Sequence, residues 1–367
     1  MKKSPDLLIV AGARPNFMKI APIWRAVRDR GRLSQLVLHT GQHHDFEMSR
    51  VFFEDLELPE PEIFLGPSSG THAEQTGKIM RGLEEVLGSV RPRLLVVVGD
   101  VNSTMACSVV AAKAQLPIAH VEAGLRSFDR SMPEEINRLV TDALSEILFT
   151  TCADGVRNLR QEGVSEDRIC QVGNVMIDSL QRYLARAQEV EGVVPNGLEN
   201  YALVTLHRPS NVDSESALRD IVEILEAVAR IIPVIFPVHP RTLGRLREFK
   251  LAARLGESDV ELLEPQSYLR FLHLLDGATV VLTDSGGVQE ETTVLGVPCL
   301  TMRPNTERPV TIDLGTNVLV ERRRDQIVEL SERALNGEWK PHSIPEGWDG
   351  KAALRIEEQL ARWLQSS

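Results

Sequence analysis

The chain has 367 residues, more than one hydrophobic core usually serves, so its length predicts two domains. Hydrophobic residues make up 43% and charged residues 25%, a balance typical of globular proteins, and no apolar run approaches the roughly 18 residues of a membrane span. The formal net charge of −11 argues against broad nucleic-acid binding, because neutralising phosphates requires an excess of Lys and Arg.

The first residues, MKKSPDLLIVAGARP, are basic and then briefly apolar. The apolar stretch is short and runs directly into Arg14, Asn16 and Lys19, so we interpret it as a first strand rather than a signal peptide. The cysteines lie far apart and show no paired ligand spacing; they are Cys107, Cys152, Cys170 and Cys299. This pattern indicates neither a zinc site nor a disulfide framework, and it favours reduced thiols in a cytoplasmic protein.

Short apolar runs alternate with segments of helical period in the first half of the chain. The predicted strands are LLIVAGA, LVLHTG, LLVVVGD, IAHVEAG and EILFTT. Helix signals separate them, such as the possible caps Asn102, Ser103 and Thr104 before MACSVVAAKA. Such alternation predicts βαβ units and one doubly wound α/β domain with a parallel sheet.

A helix over VGNVMIDSLQRYLARA and a polar stretch, EVEGVVPNGLEN, precede a second set of strands. These strands are YALVTLH, VIFPVHP, VELLEP, ATVVLTD and PCLTM. We therefore predict an N-terminal domain over residues 1–185 and a C-terminal domain over residues 186–345. The amphipathic end of the chain, residues 346–367, is predicted to form a helix that packs back across the domain junction.

Polar residues directly follow most of these strands. They are Arg14, Gln42, His43, Asp100 and Glu122 in the first half, and His207, Arg208, His239, Arg241 and Ser285 to Gly287 in the second. Each residue alone has an ordinary explanation as a cap or a turn. Ligands of open α/β sheets bind beyond the carboxyl ends of the strands, so the shared location predicts two binding edges and a cleft between the domains.

The segment TDSGGVQEE places Ser285, Gly286 and Gly287 between a strand and a helix that is predicted to begin near Val288. Small residues let backbone N–H groups approach an anion, and a helix N-terminus adds partial positive charge. The segment therefore predicts a phosphate site, although it is neither a Walker loop nor a dinucleotide fingerprint. Glu291, one turn on, is suited to a ribose diol or equally to a solvated helix face.

Nine motifs, in order from about residue 8 to about residue 320, resemble the non-hydrolysing UDP-N-acetylglucosamine 2-epimerase family. They are GARPNFMKIAPI, TGQH, GDVNST, HVEAGLRS, MPEEINR, TLHRPSNVD, FPVHPRT, TDSGGVQEE and TERPVT. The resemblance implies a GT-B-type fold of two Rossmann-like domains, with the nucleotide held mostly by the second.

The resemblance also implies roles for individual residues. Catalysis is assigned to Asp100, Glu122, Glu134 and His207, with no role for Asp129 and Glu135, which are interpreted as surface charges. Substrate binding is assigned to Arg14, Lys19, Arg138, Arg208, His239, Gln266, Phe271, Ser285, Gly286, Gly287, Glu291 and Arg308. Gln42 and His43 are candidates for an allosteric site, because family members in bacteria use this loop to bind an activating second substrate molecule.

Members of this family eliminate UDP from the sugar and add it back through a 2-acetamidoglucal, which inverts C2. This chemistry requires neither NAD nor a metal, so the resemblance predicts a UDP-sugar as the only small-molecule partner, no nucleic acid or membrane partner, and a homodimer.

Some positions depart from the family pattern. Pro209 and Ser210 stand where many members carry Arg and Glu, and Glu321 stands where glycine is common. These departures leave the sugar substituents open, including a modified UDP-N-acetylhexosamine. A GT-B glycosyltransferase, a hydrolysing epimerase and a non-catalytic nucleotide-sugar sensor are the alternatives. Turnover of UDP-N-acetylglucosamine without an acceptor would separate the epimerase from the glycosyltransferase. Release of free N-acetylmannosamine and UDP would identify the hydrolysing enzyme, and binding without turnover would identify the sensor.

Overall fold

The computed structural model describes residues 4–41, 56–66 and 70–366. The chain divides into two compact units. The first comprises Met1–Ser179 together with Glu346–Ser367, and the second comprises Leu180–Pro345.

The first unit is built on a seven-stranded parallel sheet in the order β3-β2-β1-β4-β5-β6-β7. The strands are β1 Leu7–Ala11, β2 Gln35–His39, β3 Ile63–Phe64, β4 Leu94–Val98, β5 Ile118–Ala123, β6 Ile147–Thr150 and β7 Ile169–Gln171. The helices are α1 Arg14–Arg30, α2 His72–Ser89, α3 Asn102–Lys113, α4 Pro133–Leu144, α5 Ala153–Gln161, α6 Val175–Gln188, which continues into the second unit, and α15 Ala352–Ser366. The central strands are continuous apolar runs because helices cover both faces of a parallel sheet.

The second unit holds a six-stranded parallel sheet in the order β10-β9-β8-β11-β12-β13. Its strands are β8 Ala202–Thr205, β9 Val234–Pro237, β10 Val260–Leu263, β11 Val280–Thr283, β12 Cys299–Thr301 and β13 Asn317–Leu319. Its helices are α7 Pro209–Val212, α8 Glu215–Ala229, α9 Pro240–Glu248, α10 Ala252–Gly256, α11 Tyr268–Asp276, α12 Gly286–Leu295, α13 Val310–Asp313 and α14 Arg324–Leu335. In both sheets the strand order reverses beside the first strand, which is the point where α/β proteins bind ligands.

The predicted α/β class with two parallel sheets is confirmed. Each of the ten predicted strands overlaps an observed strand, but β3, β7 and β13 were not predicted. These three have only two or three residues each, too few for a recognisable apolar run.

Two local predictions were wrong. Asn102, Ser103 and Thr104 do not cap α3 but form its first turn, because their side chains bond elsewhere: Ser103 Oγ lies 2.7 Å from Thr40 Oγ1, and Thr104 Oγ1 donates to Val98 O at 2.8 Å. Helix α12 begins at Gly286 rather than near Val288, so the N–H groups of both glycines lie in its first turn.

The C-terminal helix α15 packs against α1 of the first unit. The Asp178 carboxylate accepts the N–H groups of Ala352 and Ala353 at 3.1 and 2.7 Å, and it thereby caps α15. Burial raises the pKa of Asp178 to about 6, although these N–H groups counteract the rise. Along the part of the chain that the structure describes, no helix is long and apolar enough to cross a membrane.

Candidate active site

In the first unit, Glu122 lies at the carboxyl end of β5 and pairs with Lys19 of α1. The Glu122 carboxylate accepts a hydrogen bond from Lys19 Nζ, and both side chains are buried. Glu122 has a φ of 71°, and the pairing register with β6 shifts between Val121 and Ala123. A bulge of this kind redirects a side chain, and a left-handed non-glycine residue costs about 1–3 kcal/mol, so the surrounding fold holds Glu122 in a strained conformation.

Gly99 and Asn16 border this ion pair. A Cβ atom at Gly99 would stand 3.1 Å from both Glu122 Oε2 and Lys19 Nζ, and its φ of 67° also favours glycine. The Asn16 amide donates to Val98 O at 3.0 Å, and its oxygen accepts the N–H groups of Gly12 and Ala13. Asn16 therefore joins the turn after β1 to the end of β4, a role that sequence analysis missed.

Asp100 follows β4 and is held by Arg138 of α4. Arg138 Nη1 donates to Asp100 Oδ2 at 2.6 Å, while Nη2 donates to Glu135 Oε2 at 2.8 Å. Arg138 is fully buried, with 1% of its surface exposed, and Asp100 is partly exposed. The geometry therefore makes Arg138 a residue that orients Asp100, and its predicted contact with substrate stays a prediction.

The interpretation of Glu135 as a surface charge was wrong. Glu135 is buried, and its carboxylate accepts the N–H groups of Ser127 and Phe128 at 2.9 and 3.0 Å. Asp129 is half-buried and caps the turn at Ser131 through a bond of 3.0 Å. Glu134 lies half-buried in the first turn of α4, one helical turn before Arg138 and on the same side of the helix.

In the second unit, the buried carboxylate of Asp284 organises the end of β8. It accepts the backbone N–H groups of His207 at 3.1 Å and Arg208 at 2.9 Å, and the Asn211 amide at 3.0 Å. His207 Nδ1 lies 3.2 Å from Asp284 Oδ1. Asp284 was not predicted from the sequence, since the backbone groups that it orients lie 76 and 77 positions earlier in the chain.

His207 and His239 lie side by side, with ring centroids 5.6 Å apart. His239 Nδ1 accepts the Arg241 N–H at 3.2 Å, a contact that fixes the orientation of the ring at the start of α9. Burial lowers the pKa of His207 and outweighs the opposing effect of Asp284, which favours a neutral imidazole at this position.

The predicted phosphate site combines the start of α12 with a buried arginine. Ser285 is the N-cap, and the N–H groups of Gly286 and Gly287 open the helix. A Cβ atom at Gly286 would lie 2.5 Å from Arg308 Nη1, so only glycine leaves room for the guanidinium. The Arg308 guanidinium pairs with two buried carboxylates. Its Nε donates to Glu290 Oε1 at 2.7 Å, and its Nη1 donates to Glu307 Oε1.

Arg303 is a further cation at this edge that sequence analysis missed. It lies just after β12, is buried, and donates to Glu307 Oε2 at 2.7 Å. Its charge contributes to the lowered pKa of His207. The TERP motif thus supplies the carboxylate, Glu307, that orients Arg303 and Arg308, and Arg208 approaches the same carboxylate at 3.8 Å.

Glu291 lies one turn further along α12 and is buried, so the solvated-face interpretation was wrong. Its carboxylate accepts a hydrogen bond from Tyr268 Oη at 3.0 Å, and burial raises its pKa to about 7. Gln266 is half-buried; its amide donates to Glu264 O and its oxygen accepts from Arg270 Nε, both at 2.7 Å. Phe271 is half-buried in the first turn of α11.

Three predicted residues cannot be placed. Gln42 and His43 lie outside the described residues, and for Arg14 only the backbone, at the start of α1, is described. Among residues 4–41, 56–66 and 70–366, no group of three or more His, Cys, Asp or Glu side chains could hold a metal ion.

The sequence and the fold of this chain match those of known proteins. The sequence profile described as UDP-N-acetylglucosamine 2-epimerase matches residues 25–361. A UDP-N-acetylglucosamine 2-epimerase of Methanocaldococcus jannaschii is 42% identical over 95% of this chain and 98% of its own length. A UDP-2,3-diacetamido-2,3-dideoxy-D-glucuronate 2-epimerase of Pseudomonas aeruginosa is 41% identical over 97% of this chain and 99% of its own.

Solved structures of proteins with these names have the same fold as this chain. The crystal structure of the Methanocaldococcus jannaschii UDP-GlcNAc 2-epimerase in complex with UDP-GlcNAc and UDP superposes with a TM-score of 0.89 at 42% identity, over 98% of this chain and 99% of that one. A putative UDP-N-acetylglucosamine 2-epimerase of Listeria monocytogenes gives a TM-score of 0.88 at 27% identity, over 99% and 97% of the two chains. The GT-B-type fold predicted from the sequence is confirmed.

Proposed function

Because this chain belongs to the UDP-N-acetylglucosamine 2-epimerase family, a family of isomerases, we propose that it interconverts UDP-N-acetylglucosamine and UDP-N-acetylmannosamine without net hydrolysis. The observation that carries the proposal is the carboxylate cluster of the first unit, where Glu122 is paired with Lys19 and Asp100 with Arg138. Glu134 lies one helical turn from that second pair.

The proposed chemistry is an elimination followed by a re-addition. The C2 proton of an N-acetylhexosamine is not acidic, so its direct removal is prohibitive. Breaking the C1–O bond to UDP as the C2 proton leaves gives 2-acetamidoglucal and UDP. Adding UDP back to C1 with protonation of C2 from the opposite face inverts that carbon, and the atoms balance without an outside reactant.

This route needs carboxylates that exchange protons with C2 and donors that stabilise the UDP leaving group. We assign the first task to Asp100, Glu122 and Glu134. The second falls to the N–H groups of Gly286 and Gly287 together with Arg308, because they combine a helix N-terminus with a fixed guanidinium. His207, with its pKa lowered by burial, is a neutral hydrogen-bonding group in this scheme.

A modified substrate is the second candidate function. A relative at 41% identity is named for a diacetamido-glucuronate, whose sugar carries a further acetamido group at C3 and a carboxylate at C6. The three sequence departures also lie in segments that follow strands of the second unit, Pro209 and Ser210 after β8 and Glu321 after β13. Pro209 is the first residue of the short helix α7. Glu321 has a φ of 51°, a left-handed backbone conformation that glycine adopts more readily than other residues.

Incubating the protein with UDP-N-acetylglucosamine alone tests the proposal, with product signals followed by proton NMR. Our proposal expects UDP-N-acetylmannosamine to accumulate to an equilibrium while the UDP linkage is retained. Steady release of UDP and free N-acetylmannosamine would identify a hydrolysing enzyme. No turnover until an acceptor is added would favour a glycosyltransferase, and turnover of the diacetamido-glucuronate alone would select the modified substrate.

The homodimer and the cytoplasmic location follow from the resemblance and the cysteine pattern, and both stay predictions. Size-exclusion chromatography with light scattering measures the first, with a mass of twice 40.8 kDa expected.

A further inference from the structure

A buried ionic network beside the carboxylate cluster takes no part in the proposed chemistry. Its centre is His120 of β5, which is fully buried. His120 Nδ1 lies 2.6 Å from Asp142 Oδ1, and Nε2 lies 2.9 Å from the carbonyl oxygen of Gly99. Asp142, near the end of α4, also accepts the Gly124 N–H at 3.0 Å and pairs with Arg126 Nη2 at 2.7 Å.

Both ring nitrogens of His120 therefore face oxygen atoms that can only accept. A neutral imidazole carries one N–H group and would leave one of these contacts without a proton, whereas an imidazolium donates to both. The other oxygen of Asp142 faces two further donors, the Gly124 N–H and the Arg126 guanidinium, so Asp142 is the ionised partner. Burial on its own would raise the pKa of Asp142, but the neighbouring His120 and Arg126 lower it. The hydrogen-bond pattern thus defines a carboxylate–imidazolium pair.

This pair contacts each segment that carries a proposed catalytic carboxylate. Gly99 directly precedes Asp100, and its backbone borders the Glu122–Lys19 ion pair. Gly124 follows Glu122 by two residues and is packed so tightly that a Cβ atom there would meet Gly155 O at 2.4 Å. Asp142 lies on α4, the helix whose first turn contains Glu134.

We propose that His120, held as an imidazolium by Asp142, is a positioning residue for the epimerase reaction. It fixes the turn that ends β4 and the bulge at Glu122 relative to α4, and it touches no substrate. The inference rests on the proposed function, because the groups that it positions are the carboxylates assigned to proton transfer. Misplacing a catalytic group by about 1 Å can cost roughly 10²-fold in rate, so a tether of this kind matters without contacting the sugar.

Two substitutions separate the two hydrogen bonds that His120 donates, one to Asp142 and one to Gly99 O. His120→Gln places an amide N–H near the position of Nε2 and keeps the bond to Gly99 O, whereas His120→Asn mimics Nδ1 and keeps the bond to Asp142. Because Gly99 adjoins Asp100, we expect kcat to fall roughly 10- to 100-fold in His120→Asn and less in His120→Gln. The KM and the UDP dissociation constant should change much less than kcat, since the groups proposed to hold the diphosphate, Gly286, Gly287 and Arg308, belong to the second unit. His342→Asn, at an exposed histidine, is the control.

A spectroscopic measurement on the native protein does not depend on how well the variants fold. In protein with ¹⁵N-labelled histidine, the His120 ring should show hydrogen on both nitrogens, because each faces an acceptor oxygen, with the signal assigned by its absence in His120→Gln. A ring with one protonated nitrogen, or full kcat in a folded His120→Asn variant, would overturn the inference. Failure of the native protein to epimerise UDP-N-acetylglucosamine is a different result; it would refute the proposed function, while the NMR measurement would still decide the protonation of His120.

Discussion

The two candidate sites are built in opposite ways. In the first unit, the proposed reacting groups are carboxylates, and cations hold them: Lys19 pairs with Glu122 and Arg138 with Asp100. In the second unit, the proposed ligand-binding groups are N–H groups and guanidiniums, and buried carboxylates hold them, as Asp284 holds the backbone at His207 and Glu307 holds Arg308. The first arrangement suits proton transfer and the second suits anion binding, so similar sheets support different chemistry through the sign of the charge that each presents.

The largest effect should come from removing a carboxylate of the first unit. Glu122→Gln keeps the shape of the side chain and a hydrogen-bond acceptor for Lys19, but it can no longer take a proton. We expect kcat to fall by about 10²–10⁴, the usual contribution of a general acid or base, while UDP affinity is unchanged. Steady-state kinetics and calorimetry with UDP measure the two quantities.

Glu146→Gln provides the matched control, because Glu146 is an exposed glutamate of the same unit. Full activity in Glu122→Gln, or an equal loss of UDP affinity, would remove the distinction between a catalytic and a binding unit.

The next effect concerns stability, and it depends on Glu291. This carboxylate is held by a neutral phenol rather than a cation, and burial raises its pKa from 4.5 to about 7. The folded state therefore binds the proton more tightly than the unfolded state, so the free energy of unfolding falls as pH rises from 4.5 to about 7, by about 3 kcal/mol in total.

Glu291→Gln removes this titration and keeps an acceptor for Tyr268. The variant should gain stability over the native protein between pH 5 and pH 8, as measured by denaturant unfolding at both values. A weaker slope from Asp178, whose pKa is raised from 3.8 to about 6, remains in both proteins. Identical pH dependence in the two proteins would show that Glu291 is not a buried, neutralised acid.

The smallest effect should follow from crowding the anion site. Gly286→Ala places a Cβ atom 2.5 Å from Arg308 Nη1, so the guanidinium must move and UDP affinity should fall roughly tenfold, about 1.4 kcal/mol. Truncating Arg308 itself is a poorer test, because it breaks the buried ion pairs that its guanidinium makes with Glu290 and Glu307, and breaking a buried pair typically costs about 3–5 kcal/mol of stability.

Gly244→Ala is the control for this substitution, since a Cβ atom there meets nothing within 4 Å. Unchanged UDP affinity in Gly286→Ala would place the diphosphate elsewhere.

Much of the fold could be predicted from the distribution of apolar residues. Helices cover both faces of a parallel sheet, so its central strands must be continuous apolar runs. LLVVV and VVLT are unmistakable for this reason. Edge strands such as β3 and β13 bury little and carry no such run, so they could not be predicted. The two glycines of α12 were found because an anion site requires small residues at a helix start.

The residues that hold the functional groups were largely missed. Glu135 and Asp129 are both acidic and lie in one polar segment, yet the first is buried against Arg138 and the second is half-buried and caps a turn. His120 and Asp142 contact each other across 22 residues of sequence, and Asp284 contacts His207 across 77. Spacing along the chain identifies what a strand end presents, but the partner that orients it depends on tertiary contacts.

The most direct test of the account is the fate of the C2 hydrogen. If the carboxylates of the first unit remove the proton from one face and return one to the other through separate or solvent-exchanging groups, product formed from UDP-N-acetylglucosamine in D₂O carries deuterium at C2. We predict that mass spectrometry and proton NMR find this deuterium in UDP-N-acetylmannosamine, together with traces of 2-acetamidoglucal and UDP in Glu122→Gln. Product that retains the original hydrogen at C2 would contradict the elimination route and the roles assigned to Asp100, Glu122 and Glu134.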